Sequence, residues 1–344
     1  MTIECPAPRH EDEVVLLGHG AGGRLTAELL DRLILPATGG GHGPLEDAAL
    51  LPDHRDLVIS TDGFVVSPLF FPGGDIGCLA VHGTVNDLAM RGAQPLALTV
   101  SLVIEEGLPL ADLRAVMQSL GKAARDVGVP VVTGDTKVVG RGAADKLFVT
   151  TTGVGRRHSA LHPSAALARP GDAVLLSGPV GLHGTTVLST REGLGFESDI
   201  ASDTRPLHRL VAALAPLGPA VHTLRDPTRG GLAAALNEIA HASSVAVEID
   251  ERAVPVPGPV ASACDLLGLD PLVVANEGCL TAFVAPDAAE DALTALRSLP
   301  EGAQAVRVGE VLPDGPAGRV TLRTLVGARR IVDMPLGEQL PRIC

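Results

Sequence analysis

Strand-type and helix-type patterns mix in both halves of this 344-residue chain without a regular strand–helix–strand period. A single doubly wound parallel sheet needs that period, so the irregular order predicts two α+β domains instead. In the first half the β-prone run Val14 to Leu17 breaks into the glycine-rich stretch Gly18 to Arg24, followed by a helix over 25–33. A strand over 57–61 ends in Asp62-Gly63. Leu113, Val116, Met117, Leu120, Ala124 and Val127 recur three and four apart, which predicts an amphipathic helix, and Gly128 supplies its C-terminal cap. Pro130 leads into a buried-type strand over 131–135, and another strand covers 146–155. Arg156 to Pro170 reads as a basic, proline-bounded connection. Beyond it, strands at 172–177, 245–250, 280–285, 305–312 and 319–326 interleave with helices at 207–217, 229–242 and 287–298. The expected organisation is a domain over 1–158, a second over 159–335 and a mobile tail over 336–344.

With 40 acidic residues against 27 basic ones the formal net charge is −13. A nucleic-acid binder needs the opposite excess to neutralise phosphates. The chain has no Trp or Tyr and 6 Phe, so stacking platforms for single strands are scarce as well. No stretch approaches the ~18 apolar residues of a membrane helix. Glu4, Glu11, Asp12 and Glu13 stand where a signal peptide would be basic, so a cytoplasmic protein without membrane contact is expected. Cys5, Cys78, Cys264, Cys279 and Cys344 are odd in number and form no C-x-x-C pair, which speaks against structural zinc and a disulfide framework.

Candidate chemistry rests on acidic residues beside Gly, Thr or Asn. Asp47, Asp62, Asp87 and Asp135 are each expected at the edge of a strand or turn, and Asp226 heads Asp226-Pro227-Thr228-Arg229-Gly230-Gly231. Several converging carboxylates give Mg²⁺ the hard oxygen ligands it takes around a nucleotide's phosphates. Singly, each is also good turn chemistry, and Asp226 before a proline is an ordinary helix cap. Gly18 with Gly23-Arg24 has the outline of a phosphate loop, but Arg24 replaces the lysine and Leu25 the hydroxyl. The loop serves either as a cover whose N–H groups approach phosphates or as a turn that needs positive φ. Lys137 and Glu277 are the candidates for orienting and deprotonating a substrate, the alternative being solvated surface charges. His82, His183 and His222 are isolated and read as structural or minor pocket groups. The sequence closes on Pro341-Arg342-Ile343-Cys344, where the proline disfavours helix. A thiol so placed can be carried into a pocket, modified there and presented to a second protein.

The segments His19-Gly20-Ala21-Gly22-Gly23, Ser60-Thr61-Asp62, Pro68 to Gly74, Gly134 to Val139, Asp145-Lys146-Leu147-Phe148, Asp226 to Gly231, Asn276-Glu277-Gly278 and the final Pro-Arg-Ile-Cys span nearly the whole chain. In these the sequence closely resembles the HypE family of hydrogenase maturation factors, carbamoyl dehydratases. The aspartate and glycine motifs alone match the wider ATP-dependent superfamily of aminoimidazole ribonucleotide synthetase, selenophosphate synthetase and thiamine-monophosphate kinase; the cysteine tail singles out the narrower family. The resemblance implies a homodimer of aminoimidazole ribonucleotide synthetase-like, two-domain α+β fold, whose N-terminal strands share a barrel-like sheet. It implies an ATP cleft contacted by Gly20, Gly22, Gly23, Asp62, Gly134, Asp135 and Thr136, with Mg²⁺ on Asp47, Asp62, Asp87 and Asp226. The partner carbamoyltransferase HypF would load Cys344, ATP would drive dehydration of the thiocarbamate to a thiocyanate, and the cyanide would pass to iron on the HypC–HypD complex. Lys137 and Glu277 would position and deprotonate the carbamoyl nitrogen. Leu182 departs from the family, which often has Asp before His183.

Two other readings stay open. A small-molecule kinase or synthetase of the same superfamily would act on a free substrate with Cys344 incidental; Cys5 lacks the glycine-loop context of a selenophosphate synthetase. A non-catalytic protein would keep ATP as a structural ligand and use the tail for docking.

Overall fold

The computed structural model describes residues 15–20, 22–38, 45–193, 200–337 and 342–344. The chain enters through α1 (Arg24–Leu29), a widened turn at Leu30–Ile34 and α2 (Leu35–Thr38). Next come β1 (Ala49–Leu51), β2 (His54–Phe64) and the small hairpin β3 (Phe70–Phe71) with β4 (Gly74–Asp75). Then follow α3 (Ile76–Met90), β5 (Ala93–Glu105), α4 (Leu110–Val127), β6 (Val131–Val139) and β7 (Leu147–Arg157). The five long strands form one sheet in the order β1-β2-β7-β5-β6. All neighbours are antiparallel except β5 and β6, which α4 connects as a parallel crossover.

Alternation along the strands gives this sheet two different faces. Leu98, Val100, Leu102 and Ile104 of β5 and Leu147 and Val149 of β7 are buried beneath α3 and α4. Residues one step along, among them Ile59, Val103 and Val154, are half-buried on a face that no described helix or strand covers.

The second half supplies β8 (Ala173–Leu176), α5 (Leu182–Glu192), α6 (His208–Leu214), β9 (Val221–Arg225), α7 (Gly231–Ala242), β10 (Val247–Asp250) and α8 (Gly258–Leu267). It ends with β11 (Thr281–Val284), α9 (Ala289–Arg297), β12 (Val306–Val311), β13 (Val320–Arg323) and β14 (Arg329–Ile331). These strands make a seven-stranded mixed sheet, β14-β13-β10-β12-β8-β11-β9. Its central strands β8 and β11 are buried at every position. Val174, Leu176 and Phe283 pack with Leu232 and Leu236 of α7, while Ala173, Leu175, Ala282 and Val284 pack with Leu210 of α6 and Leu293 of α9. Helices on both faces explain why β8 and β11 read as apolar runs rather than alternations.

Two expectations are corrected. The Val14 to Leu17 run is no strand where it is described: Val15 and Leu16 are irregular and Leu17–Gly20 is one 3₁₀ turn, because β-prone residues without a neighbouring strand have nothing to pair with. The buried-type strand at 131–135 is β6, an edge strand exposed at eight of its nine positions. The helix ending at Gly128 is found as expected, with Gly128 at φ 79 and its N–H on the Ala124 and Arg125 carbonyls. Among the described residues, no helix is long and apolar enough to cross a membrane.

Candidate active site

Four of the predicted acids converge where the two halves meet. Asp47 precedes β1, Asp87 sits in the last turn of α3, and Asp226 follows β9. One carboxylate oxygen from each lies within 4.8 Å of the others. Asp62 comes from the interior of β2 and points to the α3 side, where a Cβ on Gly83 would lie 3.9 Å from its Oδ2. The placement at the edge of a strand or turn expected for Asp62, Asp87 and Asp135 is therefore corrected: Asp62 and Asp135 are within strands and Asp87 is helical. The group is built by tertiary contacts. Ser60 Oγ lies 2.6 Å from Asp87 Oδ2 and 3.0 Å from the Asp47 carbonyl. Next to Asp47, Glu46 accepts from the Ser164 hydroxyl and the Ala165 N–H and pairs with Arg91 at 2.8 Å, tying this loop to the second half.

Burial is the main force on all four carboxyls and raises the pKa of each. Asp87 is raised further by Asp226, Asp62 and Asp47, so the acids oppose one another's ionisation. Arg225 offsets part of this, with Nε 3.1 Å from Asp47 Oδ1 and a second pairing to Glu238. One guanidinium does not neutralise so many carboxylates. A small divalent cation with oxygen preference fits the donor set and spacing of Asp47, Asp87 and Asp226.

Glu277 lies beside this group, 2 % exposed, and its carboxyl is pushed well above the usual range by burial and then by Asp226, Asp62 and Asp203. Its Oε1 has no hydrogen-bond partner among the described residues. Asp203 fixes the backbone here: Oδ1 accepts from the Glu277 N–H at 3.1 Å and Oδ2 from the Gly278 N–H at 3.0 Å. A Cβ on Gly278 would stand 1.8 Å from the Asp203 carbonyl oxygen, so only glycine allows this approach.

Cys344 is turned inward. Its carbonyl accepts from the Val65 N–H at 3.0 Å, and the Arg342 carbonyl from the Ser67 N–H at 3.2 Å, so the tail runs beside the segment that follows β2. Ile343 is 4 % exposed in the core beneath the five-stranded sheet. Burial raises the Cys344 thiol; Arg229 opposes that rise, and Glu277, Asp62 and Asp87 add to it. Arg229 in turn is held charged by Cys344 first, and also by Asp62, Glu277 and Asp87. It is the cation common to the thiol and the acids. Leu182 packs against the core that holds Ile343 and Cys344, an apolar task that an Asp would not perform.

Among the described residues the glycine loop meets the site at Arg229 and its neighbour Gly230, where a Cβ would lie 3.3 Å from the Gly22 carbonyl oxygen. Arg229 Nη1 donates to the Gly20 carbonyl at 3.2 Å. A Cβ on Gly22, which has φ +76, would fall 2.6 Å from Arg229 Cβ, and one on Gly23 2.4 Å from the Pro335 carbonyl. Ala21 lies outside the described residues.

Gly134, Asp135, Thr136 and Lys137 are not brought to the acids within one chain. They lie on the edge strand β6, with Lys137 Nζ 2.7 Å from both Asp135 oxygens and the Thr136 N–H on Asp135 Oδ1 at 2.8 Å. Gly134 and Thr136 pair with the buried Val100 and Leu102, so Asp135 and Lys137 point to the uncovered face. Asp62 pairs with Thr151, whose hydroxyl donates to Ala80 of α3, and so belongs to the covered face. The row from β2 through β7 and β5 to β6 adds about 14 Å at ~4.8 Å per strand. Sequence reasoning gave no role to Arg225, Arg229 or Asp203; the Asp226 to Gly231 motif contained Arg229, and Asp203 carried no local signal.

An AIR synthase related N-terminal domain matches residues 45–157 and an AIR synthase related C-terminal domain residues 169–321, which with the mixed sheets defines a two-domain α+β protein of that class. The carbamoyl dehydratase HypE of Cupriavidus necator is 53 % identical over 331 residues, covering 95 % of this chain and 94 % of that protein. A solved HypE in complex with ATP is 49 % identical with TM-score 0.82, covering 96 % of this chain and 100 % of that one. A HypE in a HypE–HypF complex is 45 % identical with TM-score 0.84, over 91 % and 100 %. Within the AIR synthase related class, the chain belongs to the HypE carbamoyl dehydratase family of hydrogenase maturation.

Proposed function

We propose that this chain uses ATP to dehydrate an S-carbamoyl group on its own Cys344 to a thiocyanate, the source of a cyanide ligand for a hydrogenase iron. The observation that carries the reading is the inward Cys344, set among Arg229, Glu277, Asp62 and Asp87. An amide oxygen is a poor leaving group. Transfer of the γ-phosphoryl group to it, with loss of one N–H proton, gives an S-bound carbonimidic phosphate. Departure of phosphate with the second N–H proton closes the C≡N bond. Glu277 is the base: a carboxyl held at raised pKa takes a proton strongly once ionised, and its Oε1 has room for one. Arg229 faces the charge that develops on the carbamoyl oxygen and on phosphate. Asp47, Asp62, Asp87 and Asp226 would hold Mg²⁺, which would neutralise charge on the triphosphate. The tail's pairing with 65–67 excludes water that would otherwise take the phosphoryl group.

The working organisation is a catalytic domain over 1–158, a second domain over 159–335 and the carrier tail over 336–344. The uncovered sheet face, with Ile59, Val103 and Val154, and the exposed Val131, Val132 and Val138 of β6 support a homodimer closed into a barrel-like sheet. In that dimer Gly134, Asp135, Thr136 and Lys137 of one copy would serve the nucleotide cleft of the other. HypF would load the tail, as the complex of a relative supports, and HypC–HypD would receive the cyanide. The test incubates the protein with the carbamoyltransferase, carbamoyl phosphate and Mg-ATP and follows the mass of the C-terminal peptide. A carbamoyl adduct on Cys344 that then loses one water is expected. An unmodified peptide beside an active transferase overturns the reading and leaves a free-substrate kinase or synthetase.

A further inference from the structure

We propose that Asp145, Phe148, His183 and Arg191 form a receptor for the Arg342-Ile343 dipeptide and are positioning residues that set Cys344 at the acidic site. This deepens the reading above and rests on Cys344 as the reacting group. The Asp145-Lys146-Leu147-Phe148 motif has no part in the chemistry just described, yet it meets the tail. Arg342 Nη1 is 2.5 Å from Asp145 Oδ2, its Nε donates to the Val65 carbonyl at 2.9 Å, and its guanidinium carbon is 5.8 Å from the centre of the Phe148 ring. The loop that presents Asp145 is itself fastened, because Glu105 accepts from the Gly142 N–H at 2.6 Å and the Lys146 N–H at 2.8 Å.

On the other side Arg191 staples the tail to its neighbour, donating from Nε to the Ser67 carbonyl at 2.8 Å and from Nη2 to the Arg342 carbonyl at 2.7 Å. His183 Nε2 lies 2.6 Å from the Ile343 carbonyl. A carbonyl only accepts, so Nε2 carries the proton. Burial favours the neutral ring, and Nδ1 then accepts from the Ser202 hydroxyl at 2.7 Å, whose oxygen accepts from the Thr204 N–H. Phe71 sets the ring edge-on at 5.4 Å. Arg342 has φ 51, a conformation that a non-glycine residue keeps only when its surroundings hold it. None of these side chains bonds the sulfur. They read the two residues before it.

The test is the rate of Cys344 alkylation by iodoacetamide in the intact protein, without ATP or carbamoyl donor, read by mass of the C-terminal peptide. In the inward position Cys344 is half-buried and burial raises its thiol, which lowers the reactive thiolate, so the rate follows the fraction of tail released. Asp145→Asn removes a half-exposed ion pair and is expected to raise the rate about three- to fivefold. Arg342→Asp also loses the Val65 hydrogen bond and the Phe148 contact and sets a like charge against Asp145, so it is expected to raise the rate further, and Asp145→Arg combined with Arg342→Asp to bring it back below Arg342→Asp alone. Equal rates in parent and Asp145→Asn, or a combined variant as fast as Arg342→Asp, overturn the receptor. Because no carbamoyl chemistry is involved, that failure would leave the carrier reading standing. An unmodified tail in the mass assay would equally leave the docking result intact.

Discussion

Replacing Asp226 by Asn probes the acidic cluster through its cost. Burial, against the pull of Arg225, lifts the Asp226 carboxyl from 3.8 to about 6. The folded state then holds this proton more tightly than the unfolded chain does. Its stabilising contribution is full below pH 3.8 and is lost as pH rises through 6. That rise corresponds to about 3 kcal/mol, of which roughly half falls between pH 5 and pH 8. Metal-free protein is thus expected to lose stability over that interval, by more than the Asp226 share because Asp47 and Asp87 are raised as well. Asp226→Asn should flatten the loss by about 1 to 2 kcal/mol. Mg²⁺ at about a hundred times its Kd adds ~2.7 kcal/mol to a protein that binds it, and that gain should largely vanish in the variant. Urea unfolding followed by circular dichroism is the assay, since the chain has no Trp or Tyr to report by fluorescence. A variant with the parental pH slope, or with the full Mg²⁺ gain, would refute the assignment of these carboxyls to one cation site.

Glu277→Gln keeps the shape of a buried side chain whose ionisation burial already opposes, so Tm should stay within a few degrees of the parent. Thiocyanate formation on carbamoylated protein should fall at least about a hundredfold, and near-parental turnover would remove Glu277 as the base. Val132→Asp places a charge at a 61 % exposed position of β6 and is expected to convert a dimer to monomer in sedimentation equilibrium; an unchanged mass would place the interface elsewhere.

Much of the acidic site was legible because carboxylates beside Gly, Thr or Asn recur along the chain, whatever elements carry them. Their local settings were less so. Asp87 is expected at the edge of a strand or turn from its neighbour Asn86, while α3 gives no sign of itself, because a helix apolar on nearly every side shows no amphipathic period to mark it. β5 did carry a period-two pattern, buried at every second position from Leu98 to Ile104, and could have been read as a strand. The exposure of β6 was hidden by its Val-rich opening, which suits a buried strand and a strand awaiting another copy equally well. Arg225 and Asp203 act through contacts distant in sequence, Arg225 with Asp47 and Asp203 with the backbone of Glu277 and Gly278. No local pattern encodes those pairings.

The tail is gripped by its main chain and by Arg342, while its sulfur is left to the acids and Arg229. Such a grip is indifferent to cargo. A bare thiol, a thiocarbamate and a thiocyanate present the same two preceding residues and the same carbonyls, so each enters in one register. A tail that moves as proposed would therefore find the same berth empty, loaded or converted. Which of the three stayed longest would be decided within a few ångströms of the sulfur, where charge and shape change from one form to the next.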